Sequence, residues 1–184
     1  MIIPTPKFEP ILPKSIFEPP RVRYSDDWVI TLDDGLQLVT PKGFETDGAS
    51  VPRLFLAFPC FSPFGPLLYG AGPHDQGYQY QYLLTPFFSE TYYPESSIRL
   101  REQYQFIFGD LIPVYVGRGQ RFFDNILSGI TIEKTGQEFV ANTADFVLGY
   151  FGKFAWNKYR IHGPSAYNYN SLGLPGITYR GPML

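Results

Sequence analysis

Proline placement constrains this chain more than any other feature. Six of the first twenty residues are proline: Pro4, Pro6, Pro10, Pro13, Pro19 and Pro20. Each lacks a backbone N–H and holds φ near its ring value, so this segment cannot be a helix or a central strand, and extended backbone is what remains. The same segment carries Ile2, Ile3, Phe8, Ile11, Leu12, Ile16 and Phe17, more apolar surface than a solvated linker holds. Residues 1–20 are therefore expected to be an arm that docks on a neighbouring subunit, with Phe8, Ile11 and Phe17 among its contacts. Residues 161–184 mix Gly, Pro and Asn with Tyr167, Tyr169, Leu174 and Tyr179 and sustain no period. A second extended arm is expected there. Packing of either arm back onto its own body is the alternative.

Proline also decides the reading of Leu54 to Pro73, twenty residues without a charge. That length can span a bilayer, but Pro59, Pro63, Pro66 and Pro73 interrupt it, and each removes a helix donor. A buried loop with short turns is expected, and no stable membrane anchor. The first ten residues lack the charged and apolar regions of a secretory signal. A single cysteine, Cys60, excludes an internal disulfide and a thiolate zinc cluster. Two histidines, His74 and His162, leave little room for a His-rich metal site. The net charge of −2 gives no bulk attraction to nucleic acid, which is an unlikely partner. The charge is uneven, however. Residues 1–23 carry +2 and residues 153–184 carry +4, which leaves −8 for the middle. Basic ends on an acidic body suit contacts with acidic surfaces of other subunits.

The body, residues 21–160, reads as α+β. Trp28 to Leu32, Asp33-Asp34-Gly35 and Leu36 to Val39 form strand, turn and strand. Pro73 and Asp75 suit the first turn of a helix opening at His74. In residues 98–116, apolar and polar side chains alternate from Ile98 to Phe108, Gly109-Asp110 can turn, and Leu111 to Val116 return. This is an inserted β-ribbon, with Pro113 restricting its return strand to an edge. A short helix is expected over Phe122–Ile130. A long one runs from Thr135 or Gly136 to Tyr159, with Val140, Ala144, Val147, Phe151, Phe154 and Ala155 on one stripe. Gly149 and Gly152 weaken it and suit close approach of another backbone. The expected fold is a small antiparallel hairpin layer packed on two to three helices, with an inserted ribbon and extended arms at both ends.

Asp47, His74, Asp75 and Asp124 stand in apolar or turn-rich surroundings. A His beside an Asp at a helix start can act as a general base, because its ordinary pKa lies near 6.5. An adjacent Asp is expected to point away from that imidazole and to bind a cation or cap the helix, whereas a distant Asp, Asp124 or Asp47, could orient the ring. The same residues suit a structural role better: an Asx turn at Thr46-Asp47-Gly48, a helix cap at His74 and Asp75, and Asp124 satisfying His74 in a buried polar network.

Phe44 to Arg53 reads F-x-T-D-x-A-S-V-P-R, and His74 to Tyr78 reads H-D-x-x-Y. With Phe123-Asp124-Asn125-Ile126-Leu127 and Gly152-Lys153-Phe154-Ala155-Trp156, these motifs resemble a phage and prophage protein family, known as a domain of unknown function, over roughly residues 25–160. The resemblance implies a structural component of a tailed-bacteriophage virion, made in the host cytoplasm: a tail, connector or capsid-associated protein. Its partners would be other virion proteins and further copies of itself in a symmetric assembly, with no cofactor. The His-Asp helix is also similar to that of phospholipase A2-like enzymes. That likeness implies a hydrolase with His74 as base, Asp124 supporting it and Asp75 holding calcium. A nucleic-acid-binding accessory role rests on the basic ends alone.

Overall fold

The computed structural model describes residues 1–13, 21–47, 65–86 and 111–162. Over these residues the fold is α+β, with two antiparallel sheets and three helices. The first sheet has the order β1-β2-β5, from Phe8–Ile11, Arg21–Tyr24 and Glu45–Thr46. The second has the order β3-β4-β6-β7, from Trp28–Thr31, Gln37–Thr40, Leu83–Pro86 and Leu111–Val114. Helices α1 (Leu68–Tyr80), α2 (Gln120–Thr135) and α3 (Glu138–His162) pack together, and α1 lies against β4, β5 and β6.

The hairpin β3–β4 forms where Asp33-Asp34-Gly35 predicts it, pairing Trp28 with Thr40 and Ile30 with Leu38. Gly35 takes a positive φ of 86°, and Asp34 Oδ1 accepts the Leu36 N–H at 3.0 Å, which closes the turn. The return strand of the expected ribbon is β7. It pairs with β6 and is the outermost of the described strands in its sheet, a position that tolerates Pro113. Residues 98–110 lie outside the described residues.

The amino-terminal segment turns inward over its described part. β1 pairs with β2, an edge position that tolerates Pro10. Ile2 exchanges backbone hydrogen bonds with Thr31, at 2.8 and 3.0 Å, and Ile3 belongs to the core. The Trp28 Nε1–H donates to Pro4 O at 3.0 Å, and Lys134 Nζ donates to Ile3 O at 2.7 Å. Phe8 packs edge-on against Tyr24, with ring centroids 4.8 Å apart. Thus Phe8, and Ile11 in the same strand, belong to the fold of this chain rather than to an outward arm. The proline-rich backbone leaves polar groups unpaired, and the nearest sheet edge satisfies them. Phe17, Tyr167, Tyr169, Leu174 and Tyr179 lie outside the described residues.

The helices start and end differently from expectation. α1 begins at Leu68, five residues before Pro73, which therefore sits inside it. Pro73 offers no N–H to the Tyr69 carbonyl, but every residue from Gly70 to Tyr80 is buried, and packing on all sides holds the helix. Close approach makes that packing possible: a Cβ on Gly70 would stand 2.6 Å from the Leu127 backbone oxygen. α2 ends at Gly136, whose φ of 67° lets its N–H close back on Ile132 O at 2.7 Å. α3 buries Val140, Ala141, Ala144, Val147 and Gly152. Phe151 and Phe154, expected on that buried stripe, are instead 56% and 76% exposed. Among the described residues, no helix is long and apolar enough to cross a membrane.

Candidate functional site

Three elements bring the motif residues together. α1 carries His74, Asp75 and Tyr78 on its inner side, α2 carries Gln120 and Asp124, and β5 supplies Thr46, followed by Asp47. His74 and Asp124, fifty positions apart, meet at 3.2 Å between Nε2 and Oδ1. The other ring nitrogen, Nδ1, is 3.2 Å from Asp75 Oδ1. Successive helical residues diverge by about 100°, yet Nδ1 is the ring nitrogen nearer the backbone, and the short Asp75 side chain reaches it. Asp75 therefore does not point away from the imidazole as its sequence position suggests. Its second oxygen accepts the Thr46 hydroxyl.

Asp124 is fully buried and accepts three more contacts. The Tyr78 hydroxyl donates to Oδ1 at 2.6 Å, Gln120 Nε2 donates to Oδ2 at 3.2 Å, and the Arg121 guanidinium lies 3.7 Å from Oδ2. Gln120 also donates to the Leu148 carbonyl at 2.9 Å, which ties α2 to α3. Gly152 completes the fit, because a Cβ there would stand 2.5 Å from the Tyr78 hydroxyl and 2.6 Å from Gln120 Nε2. The close neighbour of this glycine is thus a polar side-chain pair, not another backbone.

The electrostatics follow from this geometry. Burial alone would lower the His74 pKa, but hydrogen bonds to Asp124 and Asp75 and the charges of both outweigh it, raising the pKa to about 9. At neutral pH His74 is therefore an imidazolium donating from both nitrogens. Burial first, and then the bond to Asp124, push the Tyr78 phenol upward as well, so it remains a donor. Each buried carboxylate thus faces proton donors, as a low-dielectric interior requires.

A cavity of about 230 Å³ opens beside this cluster, between α1 and α3. His74, Asp75 and Asp47 line its polar side, and Val147, Phe151 and Phe154 are among its apolar lining. Asp47 reaches the cavity, while the partners of the His74 ring are Asp75 and Asp124. Among the described residues, no three His, Cys, Asp or Glu side chains converge in a metal-holding group.

The sequence pattern marks no role for Tyr78, Gln120 or Arg160, and places Thr46 only in an Asx turn. Helical spacing was the available signal for two of them: Tyr78 stands four residues after His74, and Gln120 four before Asp124. Arg160 closes the far end of α1, donating to Gln81 Oε1 at 2.9 Å, to Gln79 O at 3.2 Å and to Tyr78 O, with its guanidinium 4.5 Å from the Trp156 ring centre. A cation at a helix carboxyl end meets the negative pole of the dipole. No protein-family model, curated protein or solved structure matches the chain.

Proposed function

We propose that this protein is a structural component of a tailed-phage particle and works by contact with neighbouring subunits. The observation that carries this reading is the outer face of α3. Phe139, Phe146, Tyr150, Phe154 and Ile161 are each between 65% and 76% exposed along one helix. Contiguous exposed apolar surface on this scale marks an interaction site, because leaving it in water is unfavourable. The His74 cluster supports the same reading. An imidazolium held by two carboxylates has no lone pair with which to take a proton, whereas it joins β5, α1 and α2 into one unit. The phage assignment comes from the motif resemblance, and the assembly role from the α3 face.

The test is quantitative mass spectrometry of particles purified from the phage or induced prophage that encodes the chain. A fixed stoichiometry to the major capsid protein is expected, with incorporation lost in Phe146→Glu. Absence from particles overturns the proposal.

The cavity beside His74 favours a second reading, a calcium-dependent hydrolase with Asp75 near the cation. That chemistry requires His74 to release one carboxylate and expose a nitrogen. Ester hydrolysis by the parent that is abolished in a folded His74→Gln variant would support it. No hydrolysis with or without calcium removes it.

A further inference from the structure

We infer that the protein forms a two-fold dimer in which the outer face of α3 packs antiparallel on the same face of a second copy, with the axis at Tyr150. This deepens the assembly reading by naming the partner of the exposed face.

The spacing of the exposed residues carries the inference. At about 100° per residue, positions 139, 143, 146, 150, 154, 157 and 161 fall within an arc of about 80°. Their steps repeat after eleven residues, so Phe139, Tyr150 and Ile161 are equivalent. An eleven-residue repeat drifts by only about 20° per repeat, so a partner helix in a shallow right-handed supercoil can follow the stripe. Moreover, the stripe is symmetric about Tyr150. Reversed about that residue, Phe139 falls opposite the partner's Ile161, Phe146 opposite the partner's Phe154, and Tyr150 opposite the partner's Tyr150. The polar positions match too, Thr143 facing the partner's Asn157. An isologous contact needs this property, since each residue must meet its symmetry-related complement.

Area agrees with a second copy, and the helix dipoles set its direction. Five large side chains, each about two-thirds exposed and each offering on the order of 200 Å², present roughly 700 Å² per copy. Complete coverage on both copies would bury at most about 1,400 Å², a ceiling that reaches the roughly 1,200–2,000 Å² of stable interfaces. Antiparallel packing opposes the helix dipoles. A parallel pair would set Glu138, Lys153 and Lys158 each level with its own copy.

Sedimentation equilibrium of the full chain tests this. A species of twice 21.0 kDa is expected, shifting to the monomer mass in Phe146→Glu with an unchanged circular dichroism spectrum. Orientation is read with a short bismaleimide in a Cys60→Ser background, so that one thiol remains per chain. Tyr150→Cys should cross-link to itself. Phe139→Cys should cross-link only when mixed with Ile161→Cys. A monomer at micromolar concentration, or self-linking of Phe139→Cys alone, overturns the inference. A monomer that still enters particles overturns only the dimer, while a dimer absent from particles overturns only the virion reading.

Discussion

Raising the pH is the sharpest perturbation of the buried cluster. His74 is 2% exposed, and its pKa rises from 6.5 to about 9 in the fold. Because the folded value lies above the unfolded one, the stabilisation is fully present below pH 6.5 and is lost as the pH rises through about 9. Each pK unit corresponds to about 1.4 kcal/mol, so roughly 3 kcal/mol should disappear across this window. That is a large part of the roughly 5–15 kcal/mol that holds a domain folded. Urea unfolding, followed by the fluorescence of buried Trp28 and half-buried Trp156 across about pH 6 to pH 10, measures it directly. The midpoint should fall steadily through the window and then level off, with an unchanged m-value. His74→Gln, which cannot titrate, should lack the slope. It should also be less stable at neutral pH, because two buried carboxylates lose their shared cation. A flat wild-type profile, or stability that increases with pH, would refute the imidazolium. Persistence of the slope in His74→Gln would assign it to another group.

Other substitutions probe how the helices hold the cluster. Gly70→Ala forces a methyl against the Leu127 backbone oxygen, which cannot move without separating α1 from α2. The expected loss is near the upper end of the roughly 1–3 kcal/mol typical of overpacking, measured by thermal unfolding. Gly129→Ala, at an open position on the exposed side of α2, should instead gain up to about 1 kcal/mol from helix propensity in the same assay. Arg160→Ala removes charged hydrogen bonds to the end of α1 and should lose about 2 kcal/mol. Arg160→Lys should recover little of it, because an ammonium cannot reproduce the planar fork. Amide exchange of Gln79 to Gln81 should quicken in both Arg160 variants, and unchanged exchange would sink that role.

Local chemistry made part of this site legible. The T-D and H-D motifs and the lone Asp of α2 pointed to Asp47, His74, Asp75 and Asp124 as residues that belong together, and the structure gathers all four around one cavity or one hydrogen-bond network. The partition of roles was not legible. Whether Asp75 meets the imidazole depends on side-chain reach within one helical turn, which position in the chain does not encode. Likewise, the α3 stripe looked uniform in sequence. Only the placement of α1 and α2 decided that Val140, Ala144 and Val147 are buried while Phe151 and Phe154 stay largely exposed at the rim of the cavity.

Proline and glycine placement settled backbone possibilities from the sequence alone. It ruled against a helix over the first residues, restricted Pro113 to the outermost described strand of its sheet and set the hairpin at Gly35, because these residues act through their own φ and their own N–H, wherever the rest of the chain lies. Tertiary structure decided what the local signals left open. It turned residues 1–13 back onto the sheets, carried α1 through Pro73, and gave His74 two carboxylate partners in place of one. Each of these outcomes rests on burial by segments distant in sequence, and burial energy and electrostatics depend on neighbours that no local window contains.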